Sequence, residues 1–266
     1  MNSEIVDTLW LALVLLGLFY LGAPIVLRFQ QRYPAHPDLL PLGFDSLDPK
    51  VRRFLTERSE AVLRLGFAEP TLVRVVNAAP NVVSYLVMLI NRERGDRAMV
   101  TFIIGTGPKA LQTSYVEYST RFESGLVFNT HNAGMLPAFA PAPQATRTQT
   151  PSVCDPEELY RLHQFVMDRA KAEGPKVMYD PGKALDYLVE YAFIKTYDTQ
   201  VARGWLHYCQ NDDAYRPTFL GAYLLAWGLL PPLKWLRLLL LIRRERAVLR
   251  DFRQALREDA ASKGGR

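Results

Sequence analysis

The residues from Ile5 to Leu27, IVDTLWLALVLLGLFYLGAPIVL, constrain this chain more than any other stretch. They form a run of about 23 residues with one charge, Asp7, and about 20 apolar residues suffice to cross the hydrocarbon core of a bilayer. A cleaved leader needs a basic start and a shorter apolar stretch, whereas Met1, Asn2, Ser3 and Glu4 stand before this one. The expectation is a retained transmembrane helix over residues 5–28, with residues 1–4 as an outer tail. A helix buried in a soluble core is seldom apolar on every face for so long.

Lys and Arg beside a span favour the cytoplasmic side. None precedes this one, and Arg28, Arg32, Lys50, Arg52 and Arg53 come after it. The expected topology is single-pass in a cell inner membrane, N-terminus outside and main domain cytoplasmic. The two cysteines, Cys154 and Cys209, lack a C-x-x-C spacing and read as reduced, buried thiols. A net charge of +5 is modest, and its basic residues gather near the membrane segments rather than along a groove, which argues against nucleic acid.

A second apolar stretch runs from Phe219 to Ile242. Were it a span, the chain would finish outside with Arg243, Arg244, Arg246, Arg250, Arg253 and Arg257, against the positive-inside rule. Its clean portion, Phe219 to Leu230, would rise only about 18 Å, short of a hydrocarbon core of about 30 Å. Lys234 and Arg237 then fall where the middle of a span should be, at a cost of about 3 kcal/mol each. Pro231 and Pro232 break the helix. The expectation is an interfacial helix–kink–helix over residues 217–258, then a flexible tail, 259–266. Trp227 and Trp235 bracket the kink at headgroup level, and Arg246, Arg250, Arg253 and Arg257 face an anionic lipid surface opposite Val248, Phe252 and Ala255.

Between the membrane elements lie a proline-rich connector (29–46), extended and without helix, and a domain over 47–216. Asp48-Pro49, Asp155-Pro156 and Asp180-Pro181 each place a capping carboxylate before a proline at the first helical position. The second helix should stop at Gly174, and the third should run on to Gln210. TLVRVVNA, VVSYLVMLINRE, RAMVTFIIG, TSYVEYSTRF and LVFNTHN read as strands, split by Arg94-Gly95-Asp96 and Glu123-Ser124-Gly125. The fold class is therefore α+β: an antiparallel β-meander of four or five strands with helices packed on one face. Residues 133–152, rich in Pro and Ala, read as a long loop.

Chemistry is sparse. Gly105 to Lys109, GTGPK, lacks the spacing of a phosphate loop and reads as a turn. His36, His131, His163 and His207 are scattered, and His207 and Cys209, two apart on a helix, would diverge; no metal and no cofactor is expected. One sheet face gathers Tyr115, Glu117, Ser119 and Arg121, with Asn129, Thr130, His131 and Asn132 on the neighbouring strand. Glu117, Arg121 and His131 are the candidate catalytic residues, able to bind an anion or move a proton, although a solvated sheet face looks the same. The pattern points to a membrane-anchored, non-catalytic accessory or scaffold subunit of a larger integral membrane complex, an energy-converting one being among the options, with integral membrane proteins as partners. The alternative is a lipid-binding protein or lipid-modifying enzyme using the sheet face and the 133–152 loop. A phosphate- or nucleotide-dependent enzyme has the least support.

Overall fold

The computed structural model describes residues 3–78, 82–105 and 112–264. Of the GTGPK turn, only Gly105 falls within them. The fold is α+β, as the patterning implies. A 7-stranded sheet runs in the order β2 (Asp38–Pro41), β3 (Ala68–Val76), β4 (Val82–Asn91), β5 (Asp96–Gly105), β6 (Gln112–Arg121), β7 (Val127–His131), β8 (Ala145–Gln149). β3 to β7 are the expected antiparallel meander. Two edge strands extend it. β2 comes from the connector, where DLLP pairs with β3, and β8 comes from the stretch read as loop and runs parallel to β7. A parallel neighbour needs a crossover, which residues 132–144 supply without a helix.

Side chains alternate across the sheet, and both faces are covered, not one. Leu72, Val87, Leu89, Val100, Val116 and Tyr118 pack against α2 (Pro49–Leu63) through Val51, Leu55 and Val62, and against α3 (Pro156–Arg169) through Leu159, Tyr160 and Leu162. On the other face Val73, Val75, Leu86, Met88 and Ile90 meet Tyr179, Ala184 and Leu188. The Asp-Pro signals hold as caps. Asp48 accepts from the Lys50 amide and Asp155 from those of Glu157 and Glu158. α3 ends before Gly174, at Arg169. The Asp180-Pro181 segment is an irregular rod: a 3-10 turn, α4 (Ala184–Leu188), a π-helical Val189–Ile194 and α5 (Lys195–Ala202).

The predicted helix does not reach Gln210. Gly204, at φ 72°, turns the chain, and Leu206–Cys209 is β9, paired with β10 (Ala214–Pro217), which in turn pairs with β1 (Tyr33–Pro34). His207 and Cys209, two apart on a strand, project to the same side rather than diverging. Cys154 is exposed rather than buried, and Cys209 is intermediate. A third core of Tyr33, Phe139, Tyr197, Leu206, Tyr215 and Leu225 joins this small sheet to α5, the crossover and α6 (Phe219–Leu229).

α1 (Ser3–Gln30) is apolar and outward-facing, long and apolar enough over Val6–Gln30 to cross a membrane. α6 packs beside it antiparallel: the Trp227 indole donates to the Tyr20 carbonyl at 3.1 Å, and the Arg28 guanidinium lies 5.6 Å from the Phe219 ring. α7 (Leu233–Gly264) comes after a 69° bend. Its course corrects two expectations. Leu249 and Phe252 are buried in the core of the sheet, with Val248 packed beside them, so this apolar stripe covers protein, not lipid. The helix also continues through residues 259–264, where a flexible tail was expected.

Candidate functional site

The sheet register brings two of the three candidate catalytic residues together. Glu117 on β6 stands directly opposite His131 on β7, and His131 opposite Gln149 on β8. The Tyr115 ring lies 6.1 Å from the His131 ring. Thr130 points to the other face, beside Tyr118. Arg121 is not part of the group: it sits four pairs further along, opposite Val127, with its guanidinium 3.7 Å from the centre of the Tyr191 ring. The cation near Glu117 and His131 is Arg147 on β8, which the loop reading of residues 133–152 concealed. The alternation Ala145, Arg147, Gln149 against Thr146, Thr148 was the strand signal that could have found it.

This face is sealed rather than solvated. The Gln149 side-chain amide donates to the carbonyls of Ala133 and Met135 at 2.6 and 2.8 Å, and Arg147 to that of Phe139 at 2.9 Å. Arg203 holds the carbonyls of Ala140 and Pro141 at 3.0 and 2.7 Å. These bonds staple the crossover over the sheet. The Ala133 amide donates to His131 Nδ1 at 3.3 Å, so that nitrogen carries no proton. Burial holds His131 below its ordinary pKa, opposed by Glu117 and aided by Arg147. Burial and the Glu117 charge push the Tyr115 phenol upward. The group balances its own charges and is arranged to hold the crossover.

A second polar cluster carries no motif in the sequence. Asp96, fully buried after the Gly95 turn, accepts from Thr120 Oγ1 and Tyr160 Oη, each at 2.6 Å, and from Lys176 Nζ at 2.9 Å. Thr120 has one proton and gives it to the carboxylate, so at 2.9 Å it accepts from His163 Nε2–H. His163 Nδ1 then accepts from Thr130 Oγ1 at 3.0 Å. The imidazole is neutral and its tautomer fixed. Burial lowers its pKa to about 4. Gly95 sits where a Cβ would approach Lys176 Cβ to 3.0 Å, which lets this strap close over the turn. The network ties β5, β6, β7 and α3 together with every member satisfied. No group of three or more His, Cys, Asp or Glu side chains among the described residues is placed to hold a metal ion.

The residues expected at a membrane surface divide into three sets. Trp235 and Lys234 are exposed, as are Leu233, Leu236, Leu239 and Leu240 around them. Trp227 is half-buried against α1, and Arg237 is half-buried, donating to the carbonyls of Gly228 at 3.0 Å and Pro137 at 2.5 Å. Arg237 therefore caps the end of α6 and clips it to the crossover, a satisfied position for a charge in an apolar helix. Arg243, Arg244, Arg246, Arg250 and Arg253 project outward from a helix whose opposite side is fastened to the domain. There Arg169 pairs with Asp251, and Glu245 accepts from the Ser152 amide and hydroxyl at 2.8 Å each. Arg246, Arg250, Arg253 and Arg257 border an open groove of 810 Å³. Comparison with protein-family models, curated proteins and solved structures returned no match.

Proposed function

We propose that this protein is a membrane-anchored, non-catalytic accessory or scaffold subunit of a larger integral membrane complex, inserted in a cell inner membrane with its N-terminus outside and its domain cytoplasmic. The observation that carries the reading is the seating of α6 between α1 and the domain. Trp227 and Phe219 fix it to the anchor, while Leu225 enters the third core. Gly221 approaches the domain backbone so closely that a Cβ there would lie 1.8 Å from the Trp205 carbonyl oxygen. The domain is thus built onto its anchor. A domain held at a fixed angle docks on a neighbouring membrane protein at a lower entropic cost than one on a loose tether.

Depth agrees with this. Residues 7–19 of α1 are exposed all round, which at 1.5 Å per residue covers about 20 Å of a core of about 30 Å. The outward faces of α6 and early α7, with Phe219, Leu220, Leu224, Leu229, Trp235 and Leu236 exposed, supply the remainder. The polar cluster at Glu117 and His131 lies under the stapled crossover, which favours a structural duty for it.

The test is purification of the full chain from native membranes in mild detergent. Migration within a larger assembly is expected, and a monomeric peak on native gels overturns the reading. So does a loss of about a hundredfold or more in any associated activity on Glu117→Gln or His131→Gln, since one general acid or base is worth that much. A lipid-binding or lipid-modifying role draws on one observation, an apolar groove of 540 Å³ between α1 and α6 lined by Phe19, Gly22, Val26, Ala226 and Leu230. Stoichiometric lipid that leaves when Gly22→Leu fills the groove would favour it.

A further inference from the structure

Where α1 leaves its apolar stretch, three basic side chains from distant parts of the chain meet. Arg216 on β10 is paired across the ladder with His207 on β9, so both project from one face of the small sheet. Arg28, in the last turn of α1, stands beside β10, its guanidinium 5.6 Å from the ring of Phe219, two residues past the end of that strand. His207 is held below its ordinary pKa by burial first and then by the charges of Arg28 and Arg216, against a hydrogen bond to the Arg216 backbone that raises it and leaves the other ring nitrogen to face a ligand.

Acceptors are scarce there. Asp212 is committed to Arg216, and its carbonyl takes a bond from Arg32 at 2.8 Å. Asp213 is engaged by Tyr208 at 2.7 Å and His36 at 3.1 Å. Arg28 has no ion pair among the described residues, and the Nε atoms of Arg28 and Arg216 are both buried without a hydrogen-bond partner. A phosphate, with several acceptor oxygens, matches a guanidinium's planar fork and would pair with the outer N–H groups of these arginines, the buried Nε atoms lying behind them.

The surroundings identify which phosphate. The Arg28 guanidinium stands 5.9 Å from the Phe29 ring and 5.6 Å from the Phe219 ring, and these rings are 69% and 61% exposed. Measured from Val6, a core of about 30 Å ends about 20 residues on, near Ile25, so Arg28 falls in the headgroup layer with the two phenylalanines beside the upper acyl chains. We infer that Arg28, His207 and Arg216 seat the phosphate of an anionic bilayer lipid at the junction of α1 and the small sheet. The site rests on the reading of α1 as a membrane span, and it gives that span a fixed depth.

The full-length protein is reconstituted in nanodiscs of phosphatidylcholine containing a minor share of phosphatidylglycerol, and lipid retained on release is identified by native mass spectrometry. Phosphatidylglycerol is expected to be kept in preference by about tenfold or more. Arg28→Gln and His207→Gln should each bring the preference near parity, Arg28→Lys should keep part of it, and Arg53→Gln on α2, where Arg53 pairs with Glu57, should leave it unchanged. Circular dichroism identifies a variant that has failed to fold, in which case the other decides. An unchanged preference in folded Arg28→Gln or His207→Gln overturns the site. Release of the lipid by excess inorganic phosphate overturns its assignment to a headgroup. A protein that enters nanodiscs but keeps both lipids equally overturns the site and leaves the span standing, whereas one that does not enter them overturns both.

Discussion

His163 offers a direct measurement of how the interior is held. The ring is fully buried between Thr120 and Thr130, and burial lowers its pKa from 6.5 to about 4, with Asp96 pulling upward and Lys176 downward. In the unfolded chain the imidazole takes its proton near the ordinary value, and in the folded protein it does not until the lower one. Between the two, the unfolded state binds the extra proton, so the contribution to stability is complete above the unfolded value and is lost as pH falls through the window. At about 1.4 kcal/mol per pH unit, the loss between neutral pH and pH 4 is about 3 kcal/mol. The assay is urea unfolding of the detergent-solubilised chain at a series of pH values, monitored by far-ultraviolet circular dichroism, against His163→Gln. The variant lacks the titrating ring and should be about 1 to 3 kcal/mol less stable at neutral pH, because the two threonine hydroxyls lose well-placed partners. Carboxylates and His131 titrate in both chains and cancel in the comparison. The difference between the two proteins should therefore shift by about 3 kcal/mol in the variant's favour on acidification, closing the gap or reversing its sign. A gap that stays constant down to pH 4 would refute the claim that His163 is a neutral, enclosed link.

Three further outcomes are expected. Gly221→Ala drives a Cβ into the Trp205 carbonyl and should lower stability by about 3 kcal/mol and unseat α6, read from the melting temperature and Trp227 fluorescence. Phe252→Ala should cost about 3 to 5 kcal/mol in urea unfolding, whereas Arg253→Glu, one residue on and facing outward, should stay within about 0.5 kcal/mol; equal effects would contradict the packing of α7 on the domain. Exposed Cys154 should react with an impermeant maleimide only from the cytoplasmic side, and a cysteine introduced at Ser262 should behave alike; labelling of either from outside reverses the topology.

The local signals in this chain were legible wherever one segment carried its own explanation. Three Asp-Pro pairs cap the segments that begin at their prolines, and the five meander strands end within a few residues of the turn-formers that bound them. The illegible parts depend on distant pairing. DLLP, with Pro37 before it and Pro41 at its end, becomes β2 because an edge strand tolerates a proline. ATRTQ is too short to stand out and becomes β8 because the exposed edge of β7 needs a partner. The Glu117–His131 pairing is implied by hairpin register, but Arg147 enters from β8, and Asp96 reads in the sequence only as a turn residue. Burial made that turn residue the centre of a polar network joining Thr120, Tyr160 and Lys176.

The C-terminal helix shows why an apolar stripe does not name what covers it. Val248, Leu249 and Phe252 gain the same transfer free energy against acyl chains as against a protein core, about 1.5 to 3 kcal/mol for each fully buried side chain, so periodicity alone is silent about the partner. What distinguishes the two is specific polar matching, which lipid cannot supply. Asp251 finds Arg169, Glu245 finds Ser152, and Phe252 sets its ring 5.5 Å from that of Phe165. Each partner lies on a segment far back in the sequence, beyond the reach of pattern reading. The same principle, inverted, applies to Leu233–Leu240: apolar residues exposed there have no such matched contacts except through Arg237, which turns back to cap α6. One continuous helix thus divides at about Arg243. Its first part leaves its apolar side chains exposed and its second is locked to the domain, so tilting the first part must move the sheet with it. Given this rigidity, a disulfide joining α6 to α1 should leave the domain's urea midpoint almost unchanged, because the contact it enforces is already made; a large rise in the midpoint would mean that α6 leaves α1 freely.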